Sequence, residues 1–247
     1  MNIRNAAAPL ITCLALTVGI AQAKPITVGL ADNTVSVDGK KYELVTTSDK
    51  SGLMWEETSP GSGTYKACIC SMFAFRALQA VGEYLGLSDL KTEDITIVSG
   101  WSTDGPERIF DHSMGWDMGK NFSYTDPLTD PTNLTLADAW LTFTSNGVTY
   151  KVSSLAENYA FTDDTSHDGY HAGWDFFKYR THFQTVSNSD ATGAYFKNVI
   201  RGQIVDNFTQ SAAFEVTPVP EPATLAGMGI GLAALALVGR RRSVSRP

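Results

Sequence analysis

Two spacings of apolar residues alternate along the chain. A two-residue repeat covers positions 26–30 and 34–37, and Asp38-Gly39 then supplies a hairpin turn before the strand-like run at 42–45. Residues 48–64 are rich in Ser, Gly and Pro and read as loop. The period then lengthens: Ile69, Met72, Phe73, Ala77, Ala80, Val81 and Tyr84 fall at helical spacing, and Gly86 follows as a C-terminal cap. An amphipathic helix is predicted over about 68–86. A short apolar run at 95–98 predicts a buried strand. Leu141 and Phe143 alternate with polar residues up to Asn146-Gly147, and Val148, Tyr150 and Val152 continue the alternation, the pattern of a second hairpin. The stretch 126–135, with Asp-Pro twice, is a loop. The fold class expected is α+β, antiparallel hairpins packed with one main helix.

The two ends follow different rules. Residues 223–239 hold a single polar side chain, Thr224, and as a helix they would reach about 25 Å, near the lower limit for crossing a bilayer. Arg240, Arg241 and Arg242 follow at once, and such charge stays on the cytoplasmic side. Pro220-Glu221-Pro222, this apolar span and the arginine cluster together resemble a PEP-CTERM sorting signal. The resemblance implies recognition and cleavage near the Pro-Glu-Pro element by an exosortase. At the other end Arg4 precedes an apolar stretch at 6–20, and Ala21-Gln22-Ala23 has the small-x-small form of a signal-peptidase site. The expected organisation is a signal peptide over 1–23, an exported α+β domain over 24–217 and a sorting signal over 218–247 with its membrane helix at 223–239.

Removing the ends sharpens the charge. Between residues 24 and 217 the chain has 14 basic against 25 acidic side chains, a net charge of −11. Nucleic acid is excluded as a partner, since phosphate binding needs a basic surface. An acidic surface suits solubility or cation binding. No repeat of 20 to 50 residues is visible, so a solenoid is not indicated.

Candidate chemistry begins where loop passes into helix. Cys68 and Cys70 are the cysteines of the exported segment. A disulfide across one intervening residue would be strained and would close almost no loop. Three readings stay open: metal ligation, an intermolecular disulfide, or two small buried residues. If Cys68 precedes the first turn and Cys70 lies within it, the helix N-terminus favours thiolates. The helix ending Tyr-Leu-Gly, the strand Ile-Thr-Ile-Val-Ser, the Thr103-Asp104-Gly105 turn, Gly119-Lys120-Asn121-Phe122 and the Asn146-Gly147 hairpin occur in one order. That order resembles the formylmethanofuran dehydrogenase E-subunit-like domain over residues 65–155. The resemblance implies a transition-metal site in which Cys70 matches the family cysteine, Cys68 replaces a histidine, and His112 stands nearest to a missing later cysteine. Zinc, or another divalent transition metal, is the expected ion, with a water or a carboxylate such as Asp104 completing a tetrahedral shell.

A second cluster lies in Asp-Asp-Thr-Ser-His-Asp-Gly-Tyr-His. From Asp164 the spacing puts Asp164, Ser166 and Asp168 at positions 1, 3 and 5 of a calcium loop, Tyr170 at 7 and Asp175 at 12. His167 and His171 offer a rival zinc pair, weakened by Gly169 and Gly173, which disfavour a helix there. Trp101, Trp116, Trp140, Trp174, Phe176, Phe177, Tyr179 and Phe183 are either core or a sugar-binding face. No nucleophile-elbow, zincin or phosphate-loop motif appears. The expectation is an exported envelope or extracellular-matrix protein with a metal-binding domain, non-catalytic rather than an enzyme. Its expected partners are signal peptidase, an exosortase, transiently the inner membrane, and exopolysaccharide. The alternatives are a metal-dependent enzyme of the formylmethanofuran dehydrogenase E-subunit-like type and a polysaccharide-binding surface protein.

Overall fold

Strands β1 (Lys24–Gly29), β6 (Ile95–Ser99), β7 (Phe122–Tyr124), β8 (Trp140–Ser145), β9 (Val148–Ser154) and β10 (Ser211–Val219) form one sheet in the order β1-β10-β9-β8-β6-β7. The computed structural model describes residues 23–29, 33–44, 55–57, 65–125, 134–185 and 190–220. The expected membrane span at 223–239 and, Ala23 apart, the expected signal peptide lie outside them. Among the described residues no helix is long and apolar enough to cross a membrane.

The α+β class holds, but the sheet is not a set of local hairpins. The β8–β9 hairpin forms as its alternation predicts, turning through Asn146 and Gly147, both at positive φ. β10 inserts between β1 and β9, antiparallel to both, so the first and last described strands are neighbours. β6 runs antiparallel to β8 yet parallel to β7, which corrects the all-antiparallel expectation. The predicted N-terminal hairpin forms separately, as β2 (Thr34–Val37) with β3 (Lys40–Glu43), and β4 (Trp55–Glu57) pairs with β5 (Tyr65–Ala67).

The main helix, α1 (Ile69–Leu85), ends at Gly86 with φ 67° in the left-handed region, as its sequence predicts. Its amphipathic character needs correction, because every residue from Ser71 through Gly82 is buried. One side lies on the sheet; α5 (Arg201–Gln210), α2 (Asp104–Glu107) and β2 cover others. Burial on every side forces the polar residues of α1 to find protein partners. Arg76 donates from Nε to the Phe208 carbonyl at 2.7 Å and from Nη2 to the Thr209 carbonyl at 2.9 Å, at the C-terminal end of α5. Its other donors reach Gln79 at 3.0 Å, Asn33 at 3.1 Å and the Gly29 carbonyl at 3.4 Å. A cation at a helix C-terminus is also favoured by the helix dipole. One side chain thus ties α1, α5 and the end of β1 together.

The remaining helices are α3 (Phe176–Thr185) and α4 (Ala191–Tyr195), the latter running through a π-turn at Phe196–Ile200 into α5. Five of the eight aromatics in question are core: Trp101, Trp116, Phe176, Phe177 and Tyr179 are buried. Trp101 packs against Phe73, Tyr159 and Phe177, with ring centroids 5.0–6.0 Å apart. Trp140, Trp174 and Phe183 are half-buried.

Candidate functional site

α1 begins beside the segment that leaves the C-terminal end of β6. Gly105, in α2, sits so close to the start of α1 that a Cβ there would lie 2.4 Å from the Cys70 Cβ and 2.6 Å from the Ser71 nitrogen. Glycine is therefore required for the two helix starts to touch, and the Ser71 hydroxyl donates to the Gly105 carbonyl at 3.4 Å. Tyr124 in β7 fixes the approach by donating its hydroxyl to the Thr103 carbonyl at 2.7 Å. Burial, reinforced by the Glu107 carboxylate, pushes that phenol well above its ordinary pKa, so it stays a donor.

A cleft of about 390 Å³ opens over this junction, lined by Cys68, Cys70, Thr103 and Asp104 together with Arg180 of α3 and Arg201 of α5. Phe176, Phe183 and Phe196 supply apolar wall. Cys68 is the N-cap of α1, with φ −94° and ψ 106°, and Cys70 lies inside the first turn, the placement expected from the sequence. Neither is in a disulfide. Cys68 is buried and Cys70 half-buried. Among the described residues, the lining carries one carboxylate and two guanidiniums, a net positive formal charge, where residues 24–217 as a whole are strongly acidic. The positive end of the α1 dipole has the same sign. The Thr103 hydroxyl is buried and has no protein hydrogen-bond partner, and neither has the Trp101 indole N–H two residues earlier.

Three of the four expected metal ligands, Cys68, Cys70 and Asp104, thus share one cleft. His112 does not line it. A π-helix over Arg108–Ser113 turns His112 toward solvent, 66% exposed, with Nε2 3.8 Å from the Glu107 carboxylate. Glu107, Asp111 and His112 keep their ligand atoms within 4.8 Å of one another, and they are the one such trio of His, Cys, Asp or Glu among the described residues. The Cys68, Cys70 and Asp104 ligand atoms therefore line the cleft without gathering that closely.

The residues of the expected calcium loop serve the loop's own geometry. The Asp164 carboxylate accepts from the Ser166 hydroxyl at 2.6 Å and the Ser166 nitrogen at 3.1 Å, bonds that hold its pKa below the ordinary value. Asp175 accepts from the Lys178 nitrogen at 2.9 Å and so caps the start of α3. Gly169 lies against the Ala191 carbonyl, where a side chain would not fit. Asp168 and Tyr170 stand in the same succession of turns, the Tyr170 nitrogen donating to the His167 carbonyl at 2.9 Å. His167 stacks on Tyr195, with centroids 4.6 Å apart, while His171 stacks on Trp174 at 4.3 Å and hydrogen-bonds Thr192 at 2.9 Å. The two histidines thus meet different neighbours.

Arg180 and Arg201 are the cleft residues that pattern reading misses. A signal exists for Arg180: it falls three and four positions after Phe177 and Phe176, placing a cation on the apolar stripe of α3, where it is 7% exposed. Arg201 follows a π-turn, which breaks the helical period that would have placed it.

No curated protein and no solved structure matches the chain. Nothing in these comparisons supports the likeness of residues 65–155 to the formylmethanofuran dehydrogenase E-subunit-like domain, and β10 and β1 of the sheet come from outside that span. Residues 218–242 match the PEP-CTERM protein-sorting motif, and they begin within the last two residues of β10. The motif implies an exported protein sorted by an exosortase.

Proposed function

We propose that the exported domain is a ligand-binding envelope or matrix module, not an enzyme, and that its cleft takes the acidic sugar unit of an exopolysaccharide. One observation carries this reading: Arg180 and Arg201 line a single cleft together with the start of α1. Guanidiniums pair with carboxylates through two parallel hydrogen bonds. The phenylalanines give the sugar ring an apolar surface. The net formal charge of the described lining residues favours an anion over a cation.

Cys70 reports occupancy directly. Its alkylation by iodoacetamide should slow several-fold in the presence of oligogalacturonate and not in the presence of a neutral oligosaccharide of equal length. An equal rate with both would refute the reading. A second reading, a thiophilic cation such as zinc held by Cys68, Cys70 and Asp104, draws support from their shared cleft. Stoichiometric zinc in the domain purified without chelators, lost in Cys70→Ser, would establish it instead.

A further inference from the structure

β10 carries the sheet to the edge of the sorting signal. Val219 still pairs with Thr149 of β9 and Pro218 with Tyr150, and Pro220-Glu221-Pro222 follows immediately. From Val219 to residue 223, where the apolar span starts, a fully extended chain covers at most about 14 Å. The headgroup layer on one side of a bilayer takes up roughly 5–8 Å of that distance. Prolines at 218, 220 and 222 stiffen the segment by fixing φ at alternate positions. So short a tether holds the end of the last strand within roughly 6–9 Å of the headgroup surface.

The end of the sheet that this tether holds is distinct in character. Val219 lies beside the β8–β9 turn, since Thr149 is its partner and Ser145 pairs with Val148. The start of β6 is at the same end, Ile95 pairing with Ser145, and so is the turn before β7, where the Asn121 amide donates to the Thr92 carbonyl at 2.8 Å. α1 finishes there too, Tyr84 packing on Tyr150 with centroids 5.4 Å apart. Among the described residues the exposed large apolar side chains are Leu87, Met118, Val148 and Val219. Val219, Val148 and Met118 fall at this end, across roughly 20 Å of sheet width from β10 to β7, while Leu87 shares a cavity with Val28 of β1. Scattered exposed apolar residues are ordinary; the gathering of three of these four at the tethered pole is what points to a partner.

We propose that, while the sorting helix is in the membrane, this pole rests in the lipid headgroup layer through Val148, Val219 and Met118. The 17-residue length of α1 then sets the cleft about 25 Å away, opening away from the bilayer. The processing enzyme meets its Pro-Glu-Pro element between a folded sheet and the lipid surface.

The test places a benzophenone amino acid at Val148 or Met118, and at exposed Lys197 near the cleft as the control, in the full chain reconstituted into vesicles of phosphatidylethanolamine and phosphatidylglycerol. Illumination should give lipid adducts at 148 and 118 several-fold above those at 197. A flexible ten-residue Gly-Ser spacer between Val219 and Pro220 adds an r.m.s. reach of roughly 17 Å and should lower the adduct at 148 several-fold. Equal labelling at all three positions, or adducts at 148 that persist with the spacer, would overturn the proposal.

Discussion

Replacing Gly105 by alanine tests the helix contact on which the cleft is built. The added Cβ would lie 2.4 Å from the Cys70 Cβ, 2.6 Å from the Cys70 carbonyl carbon and 2.6 Å from the Ser71 nitrogen. Carbon atoms in contact sit about 3.5–4.0 Å apart, so α2 and the start of α1 must separate by roughly 1 Å or more. Two of the three obstacles are backbone, which no rotamer change can move aside. The cost should fall in the upper part of the 1–3 kcal/mol range for overpacking, about 2–3 kcal/mol. For a domain of this size that lowers Tm by roughly 4–12 °C. Circular dichroism melts of the exported domain measure it, with Gly202→Ala as the comparison. Gly202 lies in α5, where an added Cβ would meet no heavy atom within 4 Å, so alanine there should stabilise by about 0.4–1 kcal/mol. Cys70 should also alkylate faster in Gly105→Ala, because its own Cβ is the atom displaced. A Tm for Gly105→Ala within about 1 °C of wild type would refute the close packing of α2 on α1.

Arg76→Met should cost about 3–5 kcal/mol in urea denaturation, since the Phe208 and Thr209 carbonyls lose their donor and a buried acceptor left unsatisfied costs roughly 1–3 kcal/mol. Hydrogen bonds to Asp89 from Lys91, Ser36 and the Gly39 nitrogen lower its carboxyl pKa to about 2. A depressed pKa stabilises the fold above the ordinary value of 3.8 and loses that effect as the pH falls through about 2. Wild-type Tm should therefore drop across that window more steeply than that of Asp89→Asn. Changing Arg240, Arg241 and Arg242 together to Ser should weaken retention at the inner membrane, measured by fractionation. Mass spectrometry of the native protein should find a C-terminus near Pro220-Glu221-Pro222.

Local chemistry makes part of this structure legible. Asn146-Gly147 forces positive φ and so declares its hairpin, and Gly86 declares the end of α1. The pairing of β1 with β10 brings Lys24 to Val216, a contact that periodicity cannot express. The polar positions of α1 read as solvent-facing because a 3.6-residue repeat cannot tell a solvated Arg76 from one bonded to the carbonyls of another helix. In the cleft, Cys68 and Cys70 are visible as a motif at a helix start. The arginines that join them are not, since Arg180 and Arg201 enter from α3 and α5, more than a hundred positions away. His112 fails to join them because a π-helix shifts the positions that share a face: Glu107, Asp111 and His112 come together at offsets of four and five.

The central claim is that the cleft binds an anion through its arginines. Isothermal titration of the exported domain with digalacturonate, for wild type and Arg201→Gln in parallel, tests it most directly. One charge-assisted hydrogen-bonding group is worth about 1.5–3 kcal/mol, so the variant should bind roughly 10- to 150-fold more weakly while melting near the wild-type temperature. Equal affinity in the two proteins, or no heat of binding in wild type, would contradict the claim.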